Sequence, residues 1–180
     1  MSQLIDLNIA DEALVERLAA ITFKAFQKPA PGWLPDIDAA RRQVVDAGSA
    51  GRLGRVLVDD GVPQGWIGII RRRYLWEIHP IAVAKDAQGK GTGTALVEDA
   101  AQLAKKAGAL TLYASTSDET GATNLSGADL YDNPSSAIAN IQAHARTPYR
   151  FWQNVGFTVV GLLPDAEGAG KPAIHLARRV

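Results

Sequence analysis

Apolar and polar positions alternate or recur along this chain with two periods, and the periods delimit the elements. Leu4 to Ile9 reads as a first strand, and Asp11 stands where an N-cap belongs for a helix with Leu14, Leu18, Ile21, Ala25 and Phe26 on one face. A proline-rich connector (Pro29, Pro31, Pro35) precedes a second helical segment near Ile37 to Ala47. Arg55 to Val58 and Gly65 to Ile70 read as two strands joined by the turn Asp59-Asp60-Gly61. The chain then runs through Arg71, Arg72, Arg73 and Tyr74 into a strand from Trp76 to Val83. Leu96, Val97, Ala100, Leu103, Ala104 and Ala107 fall at helical spacing, with Gly108 placed to cap the end. Leu110 to Ala114 is a further strand, and a long excursion from Thr116 to Thr147 follows it. Pro148 to Asn154 reads as a short helix with proline in its first turn, and Phe157 to Leu163 and Ile174 to Ala177 close the chain as strands. The predicted class is α/β with a mixed sheet, in a single domain spanning residues 1–180.

Composition narrows the function classes. The 180 residues suffice for one sizeable core, and no run of 18 apolar residues predicts a membrane span. Nineteen basic and nineteen acidic residues cancel, so the basic footprint that nucleic-acid binding needs is missing. With no cysteine there is no disulfide, thiolate metal site or cysteine nucleophile, which fits a reducing cytoplasm. The start of the chain carries Asp6 and no basic segment, so it does not read as a signal peptide. His79, His144 and His175 show no metal-ligand spacing, and no metal is predicted.

Three features carry candidate chemistry. The first is the glycine-rich turn from Gln88 through Gly89, Lys90, Gly91, Thr92 and Gly93 to Thr94, set between a strand and a helix. That arrangement points backbone N–H groups and a helix dipole at an anion, although glycine clusters also make ordinary helix starts. A P-loop is excluded because Gly91, not Ser or Thr, follows Lys90, and a dinucleotide fingerprint is excluded by Thr94. The second is the strand Trp76 to Val83. Strict alternation puts Glu77, His79, Ile81 and Val83 on one face, with Trp76, Ile78 and Ala82 facing the core. Glu77 and His79, roughly 7 Å apart, either deprotonate an amine nucleophile or form a satisfied polar pair. Pro80 marks an edge, a bulge or a place where the sheet splays and leaves the N–H groups of Ile81 and Val83 for a ligand. The third is the excursion. Between Lys106 and Arg146 there is no Lys or Arg, whereas Asp118, Glu119, Asp129 and Asp132 all fall there. This tract either gathers a polycation or is solvated surface. Phe26, Trp33 and Tyr74 either wall a cleft or pack, and Arg71 to Arg73 reads as a solvated strand face.

From about Trp76 onward the chain resembles the aminoglycoside 6'-N-acetyltransferases of the GNAT superfamily. The matching residues are Trp76-Glu77-Ile78-His79-Pro80-Ile81, the Gln-x-x-Gly-x-Gly turn, Asp129-Leu130-Tyr131, Ile141-Gln142, Pro148-Tyr149, Val155-Gly156-Phe157, Val160-Gly161, Leu163-Pro164 and Lys171-Pro172. The resemblance implies the GNAT fold, with the sheet splayed at its fourth and fifth strands. It also implies direct transfer of acetyl from acetyl-CoA to the 6'-amine of an aminoglycoside, by a homodimer. It assigns Glu77 as the base or its water-holding partner, His79 as its neighbour lining the site, and the Ile81 N–H as oxyanion donor. Ile81, Ala82 and Val83 bind the pantetheine arm, and Gln88 to Thr94 the pyrophosphate. Asp118 falls where relatives place a substrate-binding acid, with Glu119 beside it, and Phe26 stands where the family has a tryptophan near the substrate mouth. One residue departs from the pattern. Where the family has Phe-Tyr-x-x-x-Gly beside the sulfur, this chain reads Phe151-Trp152-Gln153-Asn154-Val155-Gly156. An indole is no general acid near neutrality, which leaves Tyr149, one helical turn earlier, as the candidate acid and Trp152 as a wall of the cofactor site. Two other readings stay open: a GNAT acting on a polyamine or protein N-terminus, and a catalytically silent module that binds coenzyme A or an aminoglycoside.

Overall fold

The computed structural model describes residues 1–30, 32–144 and 147–180. Pro31 of the proline-rich connector and positions 145 and 146, at the end of the excursion, lie outside the described residues. The elements in order are β1 (Ser2–Asp6), α1 (Glu12–Phe26), α2 (Ile37–Asp46), β2 (Arg52–Asp59), β3 (Val62–Arg71), β4 (Leu75–Val83), α3 (Thr92–Lys106), β5 (Thr111–Ser117), α4 (Pro134–Ala139), α5 (Pro148–Asn154), β6 (Thr158–Leu163) and β7 (Ala173–Arg179). They form two compact units. One comprises Met1–Gln27, Leu34–Leu112 and Arg179–Val180, the other Lys28–Trp33 and Tyr113–Arg178.

In the first unit the strands run in the order β1-β2-β3-β4, each antiparallel to the next. Local signals explain the ends of its elements. The Asp11 carboxylate accepts the Leu14 N–H at 3.0 Å and starts α1, and Asp36 does the same for α2 through the Ala39 N–H at 2.7 Å. Asp60 (φ 46°) and Gly61 (φ 78°) turn the β2–β3 hairpin with two left-handed residues, the geometry that matches strand twist. Strand β1 is shorter at its end than Leu4 to Ile9, because its ladder on β2 finishes at Asp6 opposite Arg55. Beyond it Asn8 folds the chain back, accepting the Ala10 N–H.

The core of this unit joins α1 and α2 to one face of the sheet through Val15, Leu18, Val44, Ala47, Val56, Val58, Trp66 and Ala82. Trp66 is fully buried, and its indole N–H donates to Thr22 Oγ1 at 2.7 Å, so the large ring enters the core with its polar atom satisfied. Helix α3 lies on the opposite face. There Arg55 of β2 donates to Asp99 of α3 at 2.7 Å and to Asp6 of β1 at 2.6 Å.

In the second unit the strand order is β5-β7-β6, and β6 pairs with β7 antiparallel. Its core includes Ala114, Tyr149, Trp152, Phe157, Ile174 and Leu176. Helix α5 begins as expected, with Thr147 Oγ1 accepting the Arg150 N–H ahead of Pro148. The excursion is not structureless. It contains α4, an isolated bridge between Thr123 and Ala143, and paired bonds between Asn124 and the Asn140–Gln142 segment.

Candidate active site

Strand β4 carries the carboxylate and imidazole, and its pairing with β3 is interrupted where Pro80 stands. Ile69 opposes Ile78, but Ile67 opposes Ile81, so the single residue Gly68 faces both His79 and Pro80. This is a β-bulge, and two residues explain it. Pro80 offers no N–H to the ladder. Gly68 lets the backbones close up, since a Cβ there would lie 2.5 Å from the His79 carbonyl oxygen.

The extra residue inverts the alternation, which corrects the sequence expectation. Glu77 opposes Ile70 and Ala82 opposes Trp66, and these two rows share the face covered by α1 and α2. Ile78, Ile81 and Val83 oppose Ile69, Ile67 and Gly65 on the α3 face. Glu77 and His79 therefore stay together, but Ile81 and Val83 point to the other side and Ala82 comes over to the face of Glu77. Phe26, at the end of α1, packs half-buried against the same α1–α2 core.

Two arginines frame the pair, and no pattern along the strand marks either as a site residue. Arg72, in the β3–β4 turn, reaches Glu77 at 3.9 Å, so the run Arg71 to Arg73 is more than a solvated face. Arg52 joins through the register, lying across Ile70 from Glu77. The His79 imidazole is held below its usual pKa, first by burial and also by Arg52, while Glu77 pulls the other way. It is neutral at pH 7 and able to accept a proton.

After β4 the chain makes a single 3-10 turn (Lys85–Ala87) and the glycine-rich bend. The Gln88 side chain donates to the Val83 carbonyl at 3.1 Å and so ties the bend to the end of β4. Gly89 (φ 74°) and Gly91 (φ 89°) are left-handed, and a Cβ on either would meet nothing within 4 Å. Gln88, Gly89, Lys90 and Gly91 are exposed, Thr92 is buried, Gly93 is half-buried and Thr94 exposed.

Helix α3 starts unlike α1 and α2. Its N-cap is Gly91, no side chain caps it, and its first turn holds no acid. The other two begin with an aspartate cap and an acid, Glu12 or Asp38, in the first turn. A 15-residue helix thus presents its first N–H groups and positive dipole end to an open surface lined by glycine backbone. A helix start of this kind suits an anion.

In the second unit Tyr149 is buried in α5, and burial raises its phenol pKa, so it is protonated at neutral pH. Trp152 is buried too, edge-on to Phe151 at 5.1 Å and Phe157 at 4.9 Å. The acidic tract is not one surface. Asp118 is 1% exposed, and its carboxylate accepts the Ala122 N–H (2.6 Å), the Thr123 N–H (3.1 Å) and Thr123 Oγ1–H (2.6 Å). This corrects the expectation of an exposed acid gathering cations, because those donors spend the carboxylate on closing the loop. Glu119 is half-buried and accepts the Gly32 N–H at 3.1 Å. Asp129 and Asp132 are exposed. Among the described residues no cluster of three His, Cys, Asp or Glu could hold a metal. No helix among them is long and apolar enough to cross a membrane.

A carboxylate–imidazole pair one bend away from an uncapped helix start, on an α/β scaffold, suits group transfer from a phosphate-bearing donor. Residues 15–132 match the model of the acetyltransferase (GNAT) family, and the chain belongs to that family. It has the GNAT fold, a mixed α/β architecture. It is similar to the crystal structure of an aminoglycoside 6'-N-acetyltransferase complexed with coenzyme A, with 27% identity and a TM-score of 0.88, covering 98% of this chain and 96% of that one. The aminoglycoside 6'-N-acetyltransferase from Enterococcus faecium is also 27% identical, with a TM-score of 0.85 and the same coverage. The ribosomal-protein-S18-alanine N-acetyltransferase from Escherichia coli is 17% identical over 100% of this chain and 94% of that one, with a TM-score of 0.68, a likeness of fold alone. No curated protein matches the chain in sequence.

Proposed function

We propose that the whole chain, residues 1–180, is an acetyltransferase domain that moves the acetyl group of acetyl-CoA directly onto the 6'-amine of an aminoglycoside. The observation that carries the donor is the uncapped, acid-free start of α3 behind Gly91. The residues present suit coenzyme A: the N–H groups from Gly89 to Thr94 take the pyrophosphate, and Lys90 is exposed beside it. Ile81, Ala82 and Val83 run alongside the pantetheine arm in this reading. The acceptor reading is supported by the two aminoglycoside 6'-N-acetyltransferases that match at 27% identity over nearly the whole chain.

The chemistry needs two protons removed from the ammonium nitrogen and one returned to the sulfur. Glu77 takes a proton from the bound 6'-ammonium, directly or through water, with neutral His79 beside it as a second acceptor. The freed amine nitrogen bonds to the thioester carbonyl carbon, and the Ile81 N–H donates to the oxygen as it becomes negative. The C–S bond then breaks as the new amide nitrogen gives its second proton to His79 or water, and the thiolate takes a proton from water or from Tyr149, which burial keeps protonated. No cysteine exists to carry a covalent acyl intermediate, which supports a ternary complex. Phe26 stands at the acceptor side in this reading, and Trp152 supports the donor side through packing. The enzyme works as a cytoplasmic homodimer and confers resistance to aminoglycosides.

Trp152 favours a second reading, a silent module that binds coenzyme A or an aminoglycoside. Thiol release assayed with kanamycin, spermine and a panel of peptides decides. Turnover with kanamycin above the other amines is expected. Turnover confined to spermine or peptides moves the acceptor, and none with any amine leaves the binding module.

A further inference from the structure

The segment joining α1 to α2 does not belong with the helices it links: Lys28–Trp33 is part of the second unit, with β5 and the excursion. Its described tether there is specific. The Gly32 N–H donates to Glu119 Oε2 at 3.1 Å, and Glu119 Oε1 accepts from Ser117 Oγ at 3.3 Å. The post that holds Glu119 is rigid. Next to it, the Asp118 N–H bonds the Pro172 carbonyl at 2.9 Å, and the Asp118 carboxylate is locked by three donors. The strap end is also close-fitting, because a Cβ on residue 32 would lie 3.1 Å from Glu119 Oε2, so that the carboxylate would have to shift by a few tenths of an ångström. Within the strap, the Trp33 N–H bonds the Ala30 carbonyl in a single turn. The strap begins two residues after Phe26, the residue that stands at the acceptor side in the function proposed above.

We infer that Glu119 is a positioning residue: its carboxylate ties down the α1–α2 connector through the Gly32 amide and sets acceptor affinity by ordering that strap, not by binding the acceptor's charge. The acceptor part rests on the function proposed above; the strap itself does not. A carboxylate accepting one N–H needs only an oxygen, and an amide side chain supplies one. Capture of a cation needs the negative charge. Glu119→Gln and Glu119→Ala therefore separate the two roles.

The first measurement is amide hydrogen exchange at Gly32 in the apo protein. Glu119→Ala is expected to speed it at least tenfold, and Glu119→Gln by less than threefold. The second is steady-state kinetics with kanamycin and acetyl-CoA. In Glu119→Ala the kanamycin KM rises roughly five- to tenfold, the loss of one charge-assisted hydrogen bond at a part-exposed site, with kcat held within twofold. Glu119→Gln keeps KM within about twofold of wild type, as expected when one amide oxygen replaces one carboxylate oxygen in the same bond. Gly32→Ala crowds the same bond from the other partner, is expected to move exchange and KM in the same direction by a smaller amount, and serves if Glu119→Ala does not fold. Unchanged Gly32 exchange in both alanine variants overturns the strap. A Glu119→Gln KM as high as that of Glu119→Ala, and shrinking in salt, overturns positioning in favour of direct charge recognition. If kanamycin is no substrate at all, the exchange result alone upholds or removes the strap, and the failure falls on the acceptor.

Discussion

Replacing Gly91 tests the anion site with two side chains that share one strain. At φ 89° any L-residue pays for the left-handed backbone, about 1–2 kcal/mol. Sterics add nothing on the protein side, since a Cβ there meets no atom within 4 Å. Gly91→Ala should thus lower the melting temperature by about 2–8 °C for a chain of this size. It should weaken coenzyme A only as far as the methyl group crowds it, about threefold or less, or roughly 0.6 kcal/mol. Gly91→Asp pays the same strain or less, because aspartate tolerates this region and is a good helix cap. It also puts a negative charge where the helix start otherwise faces the ligand. At about 4 Å from a phosphate the repulsion is about 1 kcal/mol in water and about 4 kcal/mol near a protein surface. The site is exposed, so the lower half of that range applies, and a second phosphate adds to it. Coenzyme A affinity should fall at least about tenfold below that of Gly91→Ala, equal to about 1.4 kcal/mol. Calorimetric titration of coenzyme A into both variants checks this, and raising the salt to about 1 M should narrow the gap by shrinking the Debye length to about 3 Å. Equal affinities for the two variants would refute the assignment, because only the charge separates them.

Three further outcomes follow from β4 and α5. Glu77→Gln should lower turnover by roughly 100-fold while coenzyme A affinity holds, and a loss under about threefold between about pH 6 and 9 would reduce Glu77 to holding the acceptor. His79 binds its proton less tightly folded than unfolded, because burial lowers its pKa, so its effect on stability is absent above about pH 6.5 and grows as pH falls through the folded value. Melting curves should accordingly show wild type losing more stability than His79→Gln between about pH 7.5 and 5, and parallel losses would mean the imidazole stays solvated. Trp152→Tyr should change turnover by less than about tenfold, and Tyr149→Phe should cost more than that if the buried phenol returns the proton. A gain of two orders of magnitude in Trp152→Tyr would mark the natural chain as impaired and favour the binding module.

What the sequence yields and what it hides divide along the range of the interaction. Asp11, the Asp60-Gly61 pair, Gly108 and Pro148 act within four residues of themselves, and each sits where its local chemistry requires. Gly108 (φ 80°), for instance, follows the last turn of α3 in the left-handed geometry of a helix end. The charges of the excursion were equally visible, but not their fate. Asp118 and Glu119 are adjacent acids, yet one is buried under three donors and the other reaches back 87 residues to Gly32. Charge pattern records which groups are present, and only the folded loop decides whether their lone pairs are already used.

The His79-Pro80 bulge is the sharper case, because the sequence carried half of it. Proline announced an irregularity in a strand that otherwise alternates cleanly. Its consequence depends on Gly68, in the neighbouring strand, whose missing Cβ lets two residues of β4 sit opposite one of β3. A strict alternation would put Glu77 and Ile81 on the same face. The inserted residue separates them, leaving Glu77 and His79 on the α1–α2 side and sending the side chains of Ile81 and Val83 to the α3 side, where the helix that begins behind Gly91 also packs. In the proposed reaction the two faces have different tenants, the amine on one and the donor's arm along the other. The bulge is what lets a single short strand serve both. A chain with alanine at position 68 would have to shift the His79 carbonyl or straighten the ladder, and either change moves the base relative to the strand segment expected to hold the thioester.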